Sequence, residues 1–142
     1  MKLVEKQITP SQIMTREALE NTITLLSAIG GSLNALIHLP ALAAELGIEL
    51  DWDDFSEITS RTPVLTSIVP NGNETVVDLH YAGGIPAVMK ELRPVLHRDV
   101  MTVTGRALGE LLDEAPDGDR KIIRTMEDPV SKADGIQVLY GN

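Results

Sequence analysis

The chain has 142 residues, 43% hydrophobic and 23% charged, the composition of an ordinary folded domain; its 21 acidic and 12 basic residues give a net charge of −9, which opposes binding to nucleic acid or to anionic membranes. It has no cysteine, which excludes disulfides, thiolate catalysis and any iron–sulfur cluster or zinc held by its own sulfur atoms. No apolar run approaches the ~20 residues of a membrane span, and the lead from Met1 to Lys6 lacks the apolar core of a signal peptide, so a cytoplasmic location is expected.

In chain order, Pro10 breaks a short polar lead and Thr15 is the expected cap of a first long helix. Leu19, Ile23, Leu26 and Ile29 recur at helical spacing and predict one buried stripe; Gly30 ends the helix. A second helix is expected from Ser32 to Gly47, with Leu33, Leu36, Ile37, Ala41 and Ala44 inward and a bend at Pro40. A third opens at Asp51 or Asp53, turns Trp52, Phe55 and Ile58 inward and stops before Pro63. Asp51, Asp53 and Asp54 suit the positive end of its dipole better than they suit a metal. Pro70-Asn71-Gly72-Asn73 is a turn signal and marks a domain boundary. Beyond it come a helical turn over Asp78–Ala82 closed by Gly83, a helix from Pro86 to about Leu96, a strand Val100–Val103, a helix Ala107–Glu114, and strands at Ile122-Ile123 and Gln137–Tyr140.

Chemistry concentrates at Gly30-Gly31-Ser32-Leu33-Asn34-Ala35-Leu36-Ile37-His38. Two glycines let a ligand approach the main chain. Ser32 is placed to cap the helix after them, and a helix opening of this kind attracts carboxylate or phosphate. The competing reading makes Gly30 and Gly31 a simple break between packed helices and His38 a hydrogen-bonded core residue. His80 and His97 lie beside turns, where a lone histidine is a surface or capping group rather than a base.

Gly30-Gly31-Ser32-Leu33-Asn34 with His38-Leu39, then Asp53-Asp54-Phe55, Asp78-Leu79-His80 with Ala82-Gly83-Gly84-Ile85-Pro86-Ala87-Val88-Met89, Thr102-Val103-Thr104-Gly105 and Val138-Leu139-Tyr140-Gly141-Asn142 follow one another along the chain. In that order they resemble the middle portion of the dihydroxy-acid and sugar-acid dehydratase family. The family pattern has Thr in place of Leu33, an aliphatic residue in place of Pro40 and Lys-Thr in place of Arg106-Ala107. The first departure removes a hydroxyl from the glycine-rich mouth.

The resemblance implies a hydro-lyase that converts a 2,3-dihydroxy acid to a 2-oxo acid, in branched-chain amino-acid biosynthesis or sugar-acid metabolism. It implies an iron–sulfur cluster and magnesium in the parent enzyme, with neither bound by this chain, and a catalytic serine outside it. No residue here is then catalytic. Gly30, Gly31, Ser32, Asn34 and His38 are expected near the substrate, and the isolated chain is expected to be inactive. The fold class expected is mixed α/β: residues 1–70 as the helical end of an N-terminal α/β domain, residues 71–142 as the incomplete start of a β-barrel-like α+β domain. An open strand edge at Gln137–Tyr140 predicts a homo-oligomer. Two alternatives stand beside this reading: a truncated non-catalytic interaction or regulatory module, and a small enzyme using His38, His80 and Asp residues alone.

Overall fold

The computed structural model describes residues 2–133 and 135–141. Among these the regular structure is helical: α1 (Lys2–Glu5), α2 (Pro10–Ile13), α3 (Arg16–Ile29), α4 (Ala35–Glu45), α5 (Trp52–Arg61), α6 (Val76–Tyr81), α7 (Gly84–Glu91), a 3-10 turn at Arg93–Val95 and α8 (Leu108–Glu114). Helix α3 is the spine. The Thr15 hydroxyl accepts the Ala18 N–H at 3.3 Å and starts it. Its two sides then meet different apolar clusters. Leu25, Ala28 and Ile29 pack with Leu65, Ile68, Leu79, Val88, Leu92, Leu112 and Ile123; Leu19, Ile23 and Leu26 pack with Leu39, Ala43, Phe55 and Ile58. A helix covered on both sides leaves little room between them, and Ser27 and Ala28 are fully buried there. Gly135 passes so close to the Ser27 carbonyl that a Cβ would collide with it.

Helix α5 follows its expected form. The Asp51 carboxylate accepts the N–H groups of Asp53 and Asp54 at 3.0 and 3.1 Å, and Asp54 accepts the Asp51 N–H at 2.9 Å, a reciprocal cap that uses two of the three aspartates. Phe55 and Ile58 are buried, but Trp52, at the first helical position, is half exposed. Helix α4 departs further. It begins at Ala35, continues through Pro40 and buries Leu39 and Ala43, while Leu33, Ile37, Ala41 and Ala44 face outward. The expected inward set is thus wrong by part of a turn. Nearly every side of α4 is apolar, so periodicity does not single out the face that packs.

The α/β expectation is overturned. Among the described residues there is no strand and no part of a barrel, only isolated bridges at Val64–Ser131, Ile68–Glu74 and Met101–Ala107. Val100–Val103 forms one side of a tight loop. Thr102 donates to the Arg106 carbonyl at 2.9 Å, and the next partner of this stretch, Leu108, which donates to the Val100 carbonyl, already belongs to α8. Ile122 and Ile123 sit in a turn over the Asp119 carbonyl, where Ile123 is fully buried and Ile122 packs partly buried against the same cluster. Residues 137–140 have no regular structure and no bridge to another described stretch, and Asn142 lies outside the described residues. β-Branched runs of two to four residues report burial here rather than pairing, because β propensity largely measures fit to a half-buried surface.

Two polar ties hold the helices in register. The carboxamide of Asn21, 5% exposed, donates to the His97 carbonyl and accepts the His97 N–H, both at 2.8 Å. Asn21→Ala leaves both backbone groups unpaired, so a loss of about 1–3 kcal/mol is expected in urea unfolding; a change within 0.3 kcal/mol would show that water replaces the clasp. Arg16 joins α3 to α5 by donating to Glu20, Asp54 and the Glu49 carbonyl. Burial pushes the Asp54 carboxyl up, but the Asp51 N–H and the Arg16 guanidinium together outweigh it and hold the group below its ordinary 3.8. The folded value is the lower one, so this contribution is complete above 3.8 and is lost as pH falls through the depressed value. Urea midpoints measured from about pH 5 to about pH 3 should therefore fall less steeply for Asp54→Asn than for the unaltered chain.

Candidate functional site: the cleft at the end of α3

The last carbonyls of a helix need partners from outside it, and α3 finds the first two of them at the glycine pair. Gly31 donates to the Leu26 carbonyl at 2.8 Å and Gly30 to that of Ser27 at 3.2 Å, with Gly30 left-handed at φ 63° and ψ 45°. That is a Schellman closure. The Leu65 N–H takes the Ala28 carbonyl at 2.8 Å, the Thr66 hydroxyl that of Ile29 at 3.4 Å and the Asn71 carboxamide that of Gly30 at 2.9 Å. Asn71 belongs to the turn after Pro70, which folds so tightly that a Cβ on Gly72 would collide with Ser67. The two turn signals of the sequence, one at residue 30 and one at residue 70, therefore meet.

Beyond Gly31 the chain makes one more turn before α4. The Ser32 hydroxyl accepts the Asn34 N–H at 3.2 Å, and the Ser32 carbonyl accepts the Ala35 N–H at 3.2 Å. Ser32 thus stabilises the turn and does not cap the helix as expected. Asn34 occupies the cap position with helical backbone angles, and its side chain makes no capping hydrogen bond.

Gly30, Gly31, Ser32 and Asn34 line a cleft of about 800 Å³ together with the Pro70-Asn71 turn, Val76, Leu79, Ile85 and the segment from Gly135 to Gln137. Its polar groups are the Ser32 hydroxyl and the carboxamides of Asn34, Asn71 and Gln137. Among the described residues, none of the lining side chains carries a charge. Asn71 and Gln137 were not among the site residues expected from sequence; the Asn-Gly turn signal pointed to a bend but not to its meeting with residue 30. His38 does not line the cleft. It is exposed on α4, which removes the core-histidine reading as well.

The other titratable candidates are engaged elsewhere. His97 Nε2 lies 2.7 Å from the Glu20 carboxylate, and His80 packs edge-on against Tyr81 with ring centroids 5.5 Å apart. The Tyr140 hydroxyl donates to Asp53 at 2.6 Å, and this bond raises its pKa. Among the described residues no three His, Asp or Glu side chains stand together as a metal site requires. With no cysteine in the sequence, the chain offers no sulfur to an iron–sulfur cluster, and the described residues offer no cluster of three carboxylates or imidazoles to a magnesium ion.

Residues 1–111 match the family model described as dihydroxy-acid/6-phosphogluconate dehydratase N-terminal. A dihydroxy-acid dehydratase of Caldanaerobacter subterraneus subsp. tengcongensis is 47% identical over 144 residues, covering 100% of this chain and 26% of that protein. One from Ignicoccus hospitalis is 46% identical with the same coverage, and one from Lactococcus lactis subsp. cremoris is 46% identical over 99% of this chain and 25% of its own length. The chain spans about a quarter of the length of the curated relatives it matches.

The meeting of residues 30 and 71 is testable by a double-mutant cycle. Gly30→Ala forces a Cβ into the left-handed region, a cost of about 1–2 kcal/mol, and places it 2.8 Å from Asn71 Nδ2. Asn71→Ala loses one hydrogen bond, about 0.5–1.5 kcal/mol. The double variant should lose less than the sum, because removing the carboxamide clears space for the new methyl. Strict additivity in thermal or urea unfolding would mean the two residues do not touch.

Proposed function

Because this chain belongs to the dihydroxy-acid/6-phosphogluconate dehydratase family, we propose that it is the segment of a hydro-lyase that forms one wall of the site where a 2,3-dihydroxy acid loses water to become a 2-oxo acid. The observation that carries this reading is the cleft itself. The Gly-Gly-Ser-x-Asn stretch lies inside the family match, and all five of its residues line the same hollow. Hydroxyl and carboxamide groups of Ser32, Asn34, Asn71 and Gln137 offer both donors and acceptors to a polyhydroxy acid. Ile68, Val76, Leu79 and Ile85 offer an apolar side that suits the alkyl end of a branched-chain precursor.

In this proposal the chain's residues orient the substrate and exclude water, and no proton is moved by them. Among the described residues the cleft has no cationic side chain to balance a carboxylate, and no cluster of metal ligands is present; in this reading other parts of the enzyme supply both. His38 has no place in this site. The location of the work is the cytoplasm, consistent with the absence, among the described residues, of any helix long and apolar enough to cross a membrane.

Asn34 is the sharpest probe, since its side chain contributes no cap to α4. A chimera is made by placing this chain in the Caldanaerobacter dehydratase in place of the segment to which it is 47% identical. In that chimera Asn34→Ala should lower kcat/KM at least tenfold, about 1.4 kcal/mol of transition-state stabilisation, with the unfolding midpoint unchanged. Unaltered kinetics on dihydroxy acids would remove the Ser32–Asn34 turn from the substrate site.

A further inference from the structure

Residues 135–137 line the cleft, and residues 137–140 line a second hollow of about 370 Å³ against Leu36 and Trp52. Among the described residues no backbone hydrogen bond reaches this segment. Side chains and one close approach hold it instead. Ile136 is 3% exposed, Val138 packs partly buried against the cluster of Leu19, Ile23 and Phe55, and the Tyr140 hydroxyl donates to Asp53 at 2.6 Å. At the other end Gly135 lies on α3, where the hydroxyl of the fully buried Ser27 is 3.1 Å from the place of a Cβ on Gly135.

A segment without backbone bonds to its neighbours and with few buried contacts opens at a lower free energy than the core beneath it. Two of its ties are weak. Tyr140 is 63% exposed, so water competes for its hydrogen bond. The Ser27 hydroxyl gains nothing from the cover, since it has no hydrogen-bond partner among the described residues. What opening does follows from what the segment separates. Lifted, it takes Gln137 out of the cleft and runs the two hollows into one trough. Lowered, it returns that carboxamide and closes the side of the cleft, so a ligand that bonds to Gln137 favours the closed form. The closed form adds a group to the site, which is what separates a lid from a frayed end.

We propose that residues 135–140 are a lid on the cleft, latched by the Tyr140–Asp53 hydrogen bond, which opens the site when it lifts and delivers the Gln137 carboxamide when it closes. The inference rests on the proposed function only for the identity of the ligand as a hydroxy acid. The motion is read with no ligand present, so the lid stands or falls separately from the dehydratase reading. The sequence has no cysteine, so a single introduced thiol reports without interference. Ser27→Cys exchanges a hydroxyl without a hydrogen bond for a thiol beneath Gly135. Val88→Cys places one on α7 in the first apolar cluster, fully buried and outside both hollows.

With dithiobis-nitrobenzoate in native buffer, Ser27→Cys should label at least tenfold faster than Val88→Cys. In urea well below the unfolding midpoint the rate at residue 88 should climb steeply, because that thiol is reached only when the whole chain unfolds. The rate at residue 27 should stay nearly flat, because a lifted lid exposes little surface. Tyr140→Phe keeps the ring and removes the bond, and should speed labelling of Ser27→Cys about fivefold, the effect of one net hydrogen bond. A rate at residue 27 as slow and as urea-dependent as that at residue 88 overturns the lid. A rate at residue 27 that Tyr140→Phe leaves unchanged overturns the latch, and the proposal with it. Should Ser27→Cys fail to fold, Ile136→Cys takes its place as a thiol on the buried face of the lid itself. The response to Tyr140→Phe then decides: acceleration upholds the proposal and an unchanged rate overturns it.

Discussion

The closure of α3 is the constraint on which the rest of the structure depends. Five successive carbonyls, from Leu26 to Gly30, are satisfied by five donors, and those donors come from three places: the glycine pair, the extended stretch at Leu65 and Thr66, and Asn71. A buried carbonyl left without a partner is costly, so the extended stretch is held against the helix end whether or not it belongs to a sheet. Once Leu65 is fixed there, its own carbonyl accepts the Arg124 N–H at 2.8 Å and Val64 accepts from Val130 at the same distance. The later part of the chain is thereby drawn onto the first, and the two walls of the cleft face each other.

The same helix separates the two apolar clusters, which explains its composition. A surface helix carries one stripe of large aliphatic residues. Here α3 presents Leu19, Ile23 and Leu26 to one cluster and Leu25, Ala28 and Ile29 to the other, with Ser27 between. Small residues at 27 and 28 admit Leu65 and Gly135 to close range. Asn21, on the buried side near the start, substitutes a clasp on His97 for apolar contact.

What was legible in the sequence were the joints. Thr15, Gly30, Asp51 and Gly47 begin or end helices where their residue types predicted, because a cap is a local matter settled by one side chain and a few backbone groups. The face of α4 was not legible, since Ala35, Leu36, Ile37, Leu39, Ala41 and Leu42 put apolar atoms on every side and only packing in the cluster shared with α3 and α5 chooses Leu39 and Ala43. The strands at 100–103, 122–123 and 137–140 failed for a related reason. A strand exists only when another stretch runs beside it, and these lie against helix starts, a turn or solvent. Of the expected site, Gly30, Gly31, Ser32 and Asn34 stand together and His38 stands apart, because His38 falls on the exposed side of α4.

The motif residues divide into those the fold explains and those it does not. Gly30 is required by its left-handed closure, Gly31 by Leu26, whose Cδ2 would lie 2.6 Å from an added Cβ, Asp78 by its reciprocal cap with Thr75 and Gly83 by the Ala87 and Asp117 atoms that crowd the joint between α6 and α7. Ser32 serves the turn through the Asn34 N–H. The Asn34 carboxamide does none of this work: it caps nothing, yet it stands at the mouth of a cleft whose other polar groups are Ser32, Asn71 and Gln137. Fold stability selects the glycines and the aspartate on its own, so they carry little information about chemistry. Asn34 is the position at which the demands of the fold run out, which is why the proposed function gives its donor and acceptor to a ligand in the cleft.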